Sequence, residues 1–228
     1  MDQKIPFTSY DFWAYLSAGF LLLFVADYVA GTGLLSRDSW PIVQGVVALA
    51  SAYAVGQLVA SLSSLLIERL LVANLIGYPR DVLFGQPTAP AWVRAMMPAY
   101  FQALPSATQK AVLEKASSAG ITGSGEALFW MAYANARATP AVMAKMDNFL
   151  NQYGFCRNIA LVALIDSALL YWSYRYGNGP DVNLHFSWVA LVLGIGMTFR
   201  YLKFFRHFSV ELYTSFAHSK EASGGSKP

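Results

Sequence analysis

The sequence predicts an all-α protein with four transmembrane helices and a small helical region between the second and the third. Three observations predict it. The chain of 228 residues is 56% hydrophobic and only 13% charged, where an ordinary soluble domain carries about 25% charged residues; its mean hydropathy is +0.40. Charge is nearly absent from four segments. Lys and Arg gather outside them, on one predicted side.

The four segments follow in order. Phe12 to Ala30 carries one charge, Asp27, and Pro41 to Ile67 carries none. Phe155 to Tyr174 carries Arg157 and Asp166, and Phe186 to Phe199 carries none. Crossing about 30 Å of hydrocarbon takes roughly 20 helical residues. The first three segments meet that length. The fourth is charge-free for 14 residues and borrows Arg200 to Phe205, with Arg200 and Lys203 reaching back to the boundary. The start of the chain carries Asp2 and Lys4 in place of a basic leader, so the first segment is expected to be retained.

Orientation follows from the cations. Arg69, Arg80, Arg94, Lys110, Lys115, Arg137, Lys145 and Arg157 lie in the long connection, and Lys203, Arg206, Lys220 and Lys227 follow the last span. The short loops hold only Arg37 and Arg175. Both termini and the long connection are therefore expected on the cytoplasmic face of a cell (inner) membrane. The organisation reads as an N-terminal transmembrane hairpin over 1–75 and a cytoplasmic helical region over 76–150. A C-terminal hairpin with a juxtamembrane basic helix follows over 151–217, then a disordered tail over 218–228. The single Cys156 is expected as a free thiol.

Tyr10, Phe12, Trp13 and Tyr15 form an aromatic belt at the first boundary. In the connection, Ser106 and Gln109 have capping-box spacing, predicting a helix over 107–118 that stops at Gly120. Glu126 to Asn135 reads as helix. Thr139 and Pro140 read as the cap and first residue of a helix that continues into the third span. Pro98 breaks any helix across Trp92 to Leu104.

The spans carry the candidate sites. Ala48, Ala52, Gly56, Ala60 and Ser64 repeat every fourth residue, giving one flat helix face for close packing. Tyr53, Gln57, Ser61 and Ser64 form a polar stripe beside it, which must face protein or water. A carboxylate in hydrocarbon costs about 2.5–3.5 kcal/mol on insertion scales, so Asp27 and Asp166 are candidate proton, cation or pore residues. The competing structural reading is a hydrogen-bonded Asp that holds helices together. Counting from the inner boundary at 1.5 Å per residue, Asp27 lies about 22 Å deep and Asp166 about 16 Å, which makes Asp166 the stronger case. Gln44 is the expected partner of Asp27, and Ser51 or Tyr53 of Asp166. Arg200, Lys203 and Arg206, interleaved with aromatic residues and joined by Arg157 at the same depth, read as a site for anionic lipid or ligand.

His185, His207 and His218 are too scattered for a metal cluster, and no nucleotide-binding or hydrolase motif is present. No enzyme activity and no cofactor are expected. "GSGE" before a helix reads as a glycine turn.

The stretches "YDFWAYLSAGFLLLF", "FLNQYGFCRN" and "RYLKFFRHFSVELY" resemble those of small multi-pass bacterial membrane proteins that serve as accessories of antiviral defence, including type VI-B CRISPR loci. The resemblance implies a non-enzymatic accessory or effector and carries over no catalytic residue. The expected partners are membrane lipid, further copies of the chain, and a cytoplasmic protein or nucleotide; nucleic acid is not expected. The alternative is an autonomous ion channel or a proton- or cation-coupled transporter using the intramembrane Asp residues.

Overall fold

A computed structural model describes residues 11–35 and 41–219, with the side chains of residues 11–13 excepted. Tyr10, Arg37 and the tail from Lys220 lie outside the described residues. Those described form helices and no strand. A π-helical turn, Asp11–Leu16, leads into α1 (Ser17–Ala30), and α2 (Ile42–Ser63) continues as the π-helical Ser64–Ile76. Four short or medium helices follow: α3 (Pro79–Val82), α4 (Ala91–Met96), α5 (Ser106–Ser118) and α6 (Glu126–Arg137). Two helices of 37 residues each complete the chain, α7 (Pro140–Tyr176) and α8 (Val182–His218).

Among the described residues, three helices are long and apolar enough to cross a membrane, those beginning at Ile42, Pro140 and Val182. Among the residues whose side chains are described, the first apolar helix spans Ala14–Ala30, and its backbone is helical from Asp11. Gly31 takes a left-handed conformation (φ 68°) and ends α1, while α8 runs unbroken past Arg200 and Lys203 because nothing in "RYLKFF" breaks a helix.

The chain divides into two compact units. The first holds the described residues up to Leu70 together with Asn151–Leu202. In it α1 and α2 run antiparallel in backbone contact: a Cβ on Gly19 would collide with the Ala52 carbonyl, and one on Gly56 with that of Tyr15. Only glycine permits that approach. Helix α7 runs parallel to α1, with Asn158 at Ala14, and α8 returns antiparallel, with Ser187 at Ser167. Six consecutive residues of α7, Asn158 to Ala163, are buried, so this helix is enclosed on every side. Around it the apolar side chains turn outward: Val43 is 74% exposed, Leu58 65% and Val192 68%. A surface this apolar belongs in lipid.

The second unit holds Leu71–Leu150 and the described residues from Lys203. Its core joins Val112 and Ala116 of α5, Leu128, Ala132 and Ala136 of α6, Met146 of α7, and Phe208, Leu212 and Phe216 of α8. These recur at i and i+4, one face of each helix.

Helix α5 begins one residue earlier than its capping pattern predicts. Pro105 takes the N-cap position and no side chain caps the helix; Gln109 instead donates to the carbonyls of Leu83 and Leu104. Its other end has the expected glycine stop. Gly120 (φ 82°) donates to the Ser117 carbonyl and Ile121 to that of Ala116, a Schellman closure. Helix α4 ends before Pro98, and α7 opens at Pro140 and runs into the third apolar segment without a break.

Candidate functional site

The polar groups of the first unit fall into three places along its helices. At the α1 N-terminal end, Arg157 donates from Nη1 to Glu68 Oε2 at 2.6 Å and from Nε to Ser63 Oγ at 3.1 Å. Ser63 Oγ donates to Asn158 Oδ1 at 2.7 Å, and Asn158 Nδ2 donates to the Ala14 carbonyl at 3.4 Å. Ser64 Oγ also reaches Glu68 Oε2, at 3.4 Å. One guanidinium, one carboxylate, one amide and two hydroxyls thus tie the π-helical turn before α1 and the middle of α7 to the end of α2 and its π-helical continuation. Ser63 and Asn158 are fully buried. The arrangement neutralises Arg157 inside the protein, so its charge is engaged by Glu68. Glu68 and Ser63 were not legible as partners of Arg157, nor Asn158 as the partner of Ser63, because the bonds join residues about ninety positions apart.

In the C-terminal half of α7, Asp166 is 6% exposed. Its Oδ1 has no hydrogen-bond partner among the described residues. A buried orphan oxygen is rare and calls for an explanation. Asp166 and its orphan oxygen stand apart from the other two places. One residue on, Ser167 and Ser187 exchange hydroxyl-to-carbonyl bonds of 2.9 Å in each direction, clasping α7 to α8.

At the α1 C-terminal end, Asp27 accepts from the backbone N–H groups of Leu34 and Leu35, both at 2.9 Å, and from the Thr32 hydroxyl. It is thereby fastened to the loop that follows its own helix, a local role that its Thr-Gly-Leu-Leu sequel supplies. Gln44 is exposed and lines an open groove of about 570 Å³ with Asp27, Ala48 and Ser51. Near this end, Tyr28 donates to Asn183 Oδ1 at 2.8 Å, and Asn183 Nδ2 to Ser173 Oγ at 3.1 Å.

The two faces of α2 separate in use. Ala52, Gly56 and Ala60 are buried, with Ala52 and Gly56 against α1, while Ala48 and Ser64 are half-buried. In the polar stripe Gln57 Nε2 donates to the Tyr53 hydroxyl at 2.9 Å, and Tyr53 meets the ring of Tyr15 edge to face. The stripe so far as these bonds go satisfies itself.

The basic residues of α8 do different things. Arg200 is exposed beside the thiol of Cys156, which is free and buried. In the second unit, Arg206 donates from Nε to the Tyr100 carbonyl at 3.1 Å and from Nη2 to the Gln102 carbonyl at 2.7 Å. The Tyr100 hydroxyl donates to the Gly77 carbonyl at 2.8 Å; burial raises its pKa well above the ordinary phenol range, against the pull of Arg206, so it remains a neutral donor. Lys203 is exposed. Lys115 caps the end of α8, donating to the Phe216 carbonyl at 3.0 Å. No group of three His, Cys, Asp or Glu side chains that would hold a metal ion occurs among the described residues.

No protein-family model, no curated protein and no solved structure matches this chain.

Proposed function

We propose that the chain is a four-span protein of the cell membrane, with both termini and the connection between the second and third spans in the cytoplasm. It acts as a non-enzymatic accessory or effector. The second unit receives a cytoplasmic protein or nucleotide, and the helices of the first respond by changing their packing, several copies together lining a pore. One observation carries the membrane reading: the first unit encloses its polar bonds and turns Val43, Leu58 and Val192 outward, the reverse of a water-soluble bundle. The second unit, with a conventional apolar core of its own, supports the receiver role. A place in antiviral defence rests on the resemblance of the three boundary stretches.

A second reading is favoured by Asp166 alone. A buried carboxyl with one oxygen unpartnered suits a proton- or cation-handling site in an autonomous channel or transporter.

Recovery of tagged protein from native membranes, followed by mass spectrometry of bound proteins and small molecules, tests the first reading. A stoichiometric soluble partner or bound nucleotide supports it. Recovery of only the chain and lipid, with ion flux in liposomes that Asp166→Asn alters, replaces it with the second.

A further inference from the structure

Val162, Asp166, Leu170 and Ser173 are all buried and follow one another along one face of α7. Asp166 Oδ1 meets no donor among the described residues. The hydroxyls of Ser167 and Ser187 are spent on each other's carbonyls. Arg157 pairs with Glu68, Arg175 lies over the ring of Tyr176, and Arg200 stands beside Cys156. Arg157 and Arg175 are each nine residues from Asp166, about 13 Å along the helix. On the helices packed around α7, Asp27 of α1 is held by its own loop. His185 of α8 faces the Asp181 carbonyl, and α2 carries no titratable acid, base or histidine.

An ionised Asp166 would thus be a buried charge with neither counter-ion nor donor, a costly state. A metal cation would cancel the charge but takes about six or more oxygen ligands, and no group of three His, Cys, Asp or Glu side chains forms there among the described residues. A proton needs a single oxygen and makes the acid a donor.

The two directions along this face differ. Toward Arg157 it continues with Val162 and Ile159, both apolar and buried. In the other direction Ser173 Oγ accepts from Asn183 Nδ2, and Asn183 Oδ1 accepts from the Tyr28 hydroxyl. Tyr28 is exposed and lies near the end of α1 that faces outward in the four-span reading. These polar groups come within about 10 Å of Asp166 along α7, and Leu170 fills the turn between.

We propose that Asp166 is a proton site: its carboxyl holds a proton in preference to a metal cation and exchanges it with the outer face along Tyr28, Asn183 and Ser173, past Leu170. The inference rests on the four-span reading, and it names the ion and the entry side for the Asp166 site of the second reading. The acid gives its proton to water and takes one back, so the carboxyl is unchanged by the exchange.

The test uses the full chain in lipid nanodiscs and follows the infrared carbonyl stretch of protonated carboxyl groups. Labelling aspartate with carbon-13 shifts the bands of Asp and leaves those of Glu. A label-sensitive band that Asp166→Asn removes is expected, and Asp166→Glu, which keeps an acid, should move it out of the labelled set. Absence of the band overturns the proposal and leaves the membrane reading in place. Bleaching of the band by sodium, potassium or calcium at constant pH overturns the choice of a proton over a metal. In heavy water the band should move as deuterium replaces hydrogen. Leu170→Ala, which opens a cavity to water between polar groups, is expected to speed that exchange about tenfold, and Val162→Ala, one turn away on the other side, by less than about twofold. Equal gains, or a larger gain at Val162, overturn the outer route. A retained, exchanging band without proton flux in liposomes keeps the proton site and removes only the transport reading. A chain that fails to enter discs overturns the four-span reading, and this proposal with it.

Discussion

The two units of this chain invert each other's chemistry. The first buries hydrogen bonds, half-buries an ion pair, Glu68–Arg157, and displays Leu58, Val192 and their neighbours. The second buries Leu128, Leu212 and Phe216 and displays Lys110, Glu114 and Lys145. The difference is one of solvent. In water, apolar burial drives packing. In lipid that drive between helices is gone, and close backbone approach and interhelical hydrogen bonds replace it. Glycine at 19 and 56 therefore does in the first unit what leucine at 128 and 212 does in the second.

The largest expected effect tests the backbone contact. Gly56→Val should destabilise the first unit by more than about 3 kcal/mol, since its side chain meets a carbonyl that cannot move aside. Gly45, with open space around its Cβ position, is the control, and Gly45→Ala should change stability by no more than about 1 kcal/mol. Equal tolerance at both positions in detergent unfolding titrations would remove the contact from the account. Next come paired leucines. Leu212→Ala, at a position with no exposure, should cost about 3 kcal/mol, whereas Leu58→Ala should stay within about 0.5 kcal/mol. A large loss at Leu58 would mean that protein, not lipid, covers it.

Smaller effects sharpen the comparison. Glu68→Gln leaves Arg157 without its counter-charge and should cost about 1–3 kcal/mol; an unchanged melting curve would show the pair to be idle. Ser167→Ala removes half of the serine clasp and should cost only about 0.6 kcal/mol, the mean found for such bonds in membranes.

The last is a pH effect confined to the second unit. Burial, with Lys203 and Arg206 nearby, lowers the pKa of His207 below 6.5, and its ring stacks on Phe149. Between that lowered value and 6.5 the unfolded chain binds the extra proton, so stability falls on acidification through this window. His207→Phe should flatten that slope in thermal melts from pH 7 to pH 5; an unaltered slope would assign it elsewhere.

What was legible in the sequence was local. Pro140 after Thr139 marked the start of a helix that reached the third apolar segment, and Gly120 marked a stop. The small residues around Gly56 and the stripe from Tyr53 to Gln57 were visible because a helix repeats on its own period. Asp166 stood out by charge alone. The bonds of Arg157 to Glu68, of Asn158 to Ala14 and of Ser167 to Ser187 join separate helices, and no periodicity announces them. Ser106 misled because it is the first residue of the helix and Pro105, not Ser106, holds the cap position. Arg206 read as part of an anionic lipid or ligand site; its partners in the structure, the carbonyls of Tyr100 and Gln102, have no sequence signature.

The contact between α1 and α2 also constrains inheritance. Every codon one base away from glycine specifies glycine again, a larger residue or a stop. At Gly19 and Gly56 even the smallest of those residues puts its first carbon into a facing carbonyl. No single coding step away from glycine is then neutral, and a side chain at either site requires a compensating retreat of the other helix. Divergent copies of this chain should drift freely at Val43 and Val192 while these two glycines stay fixed.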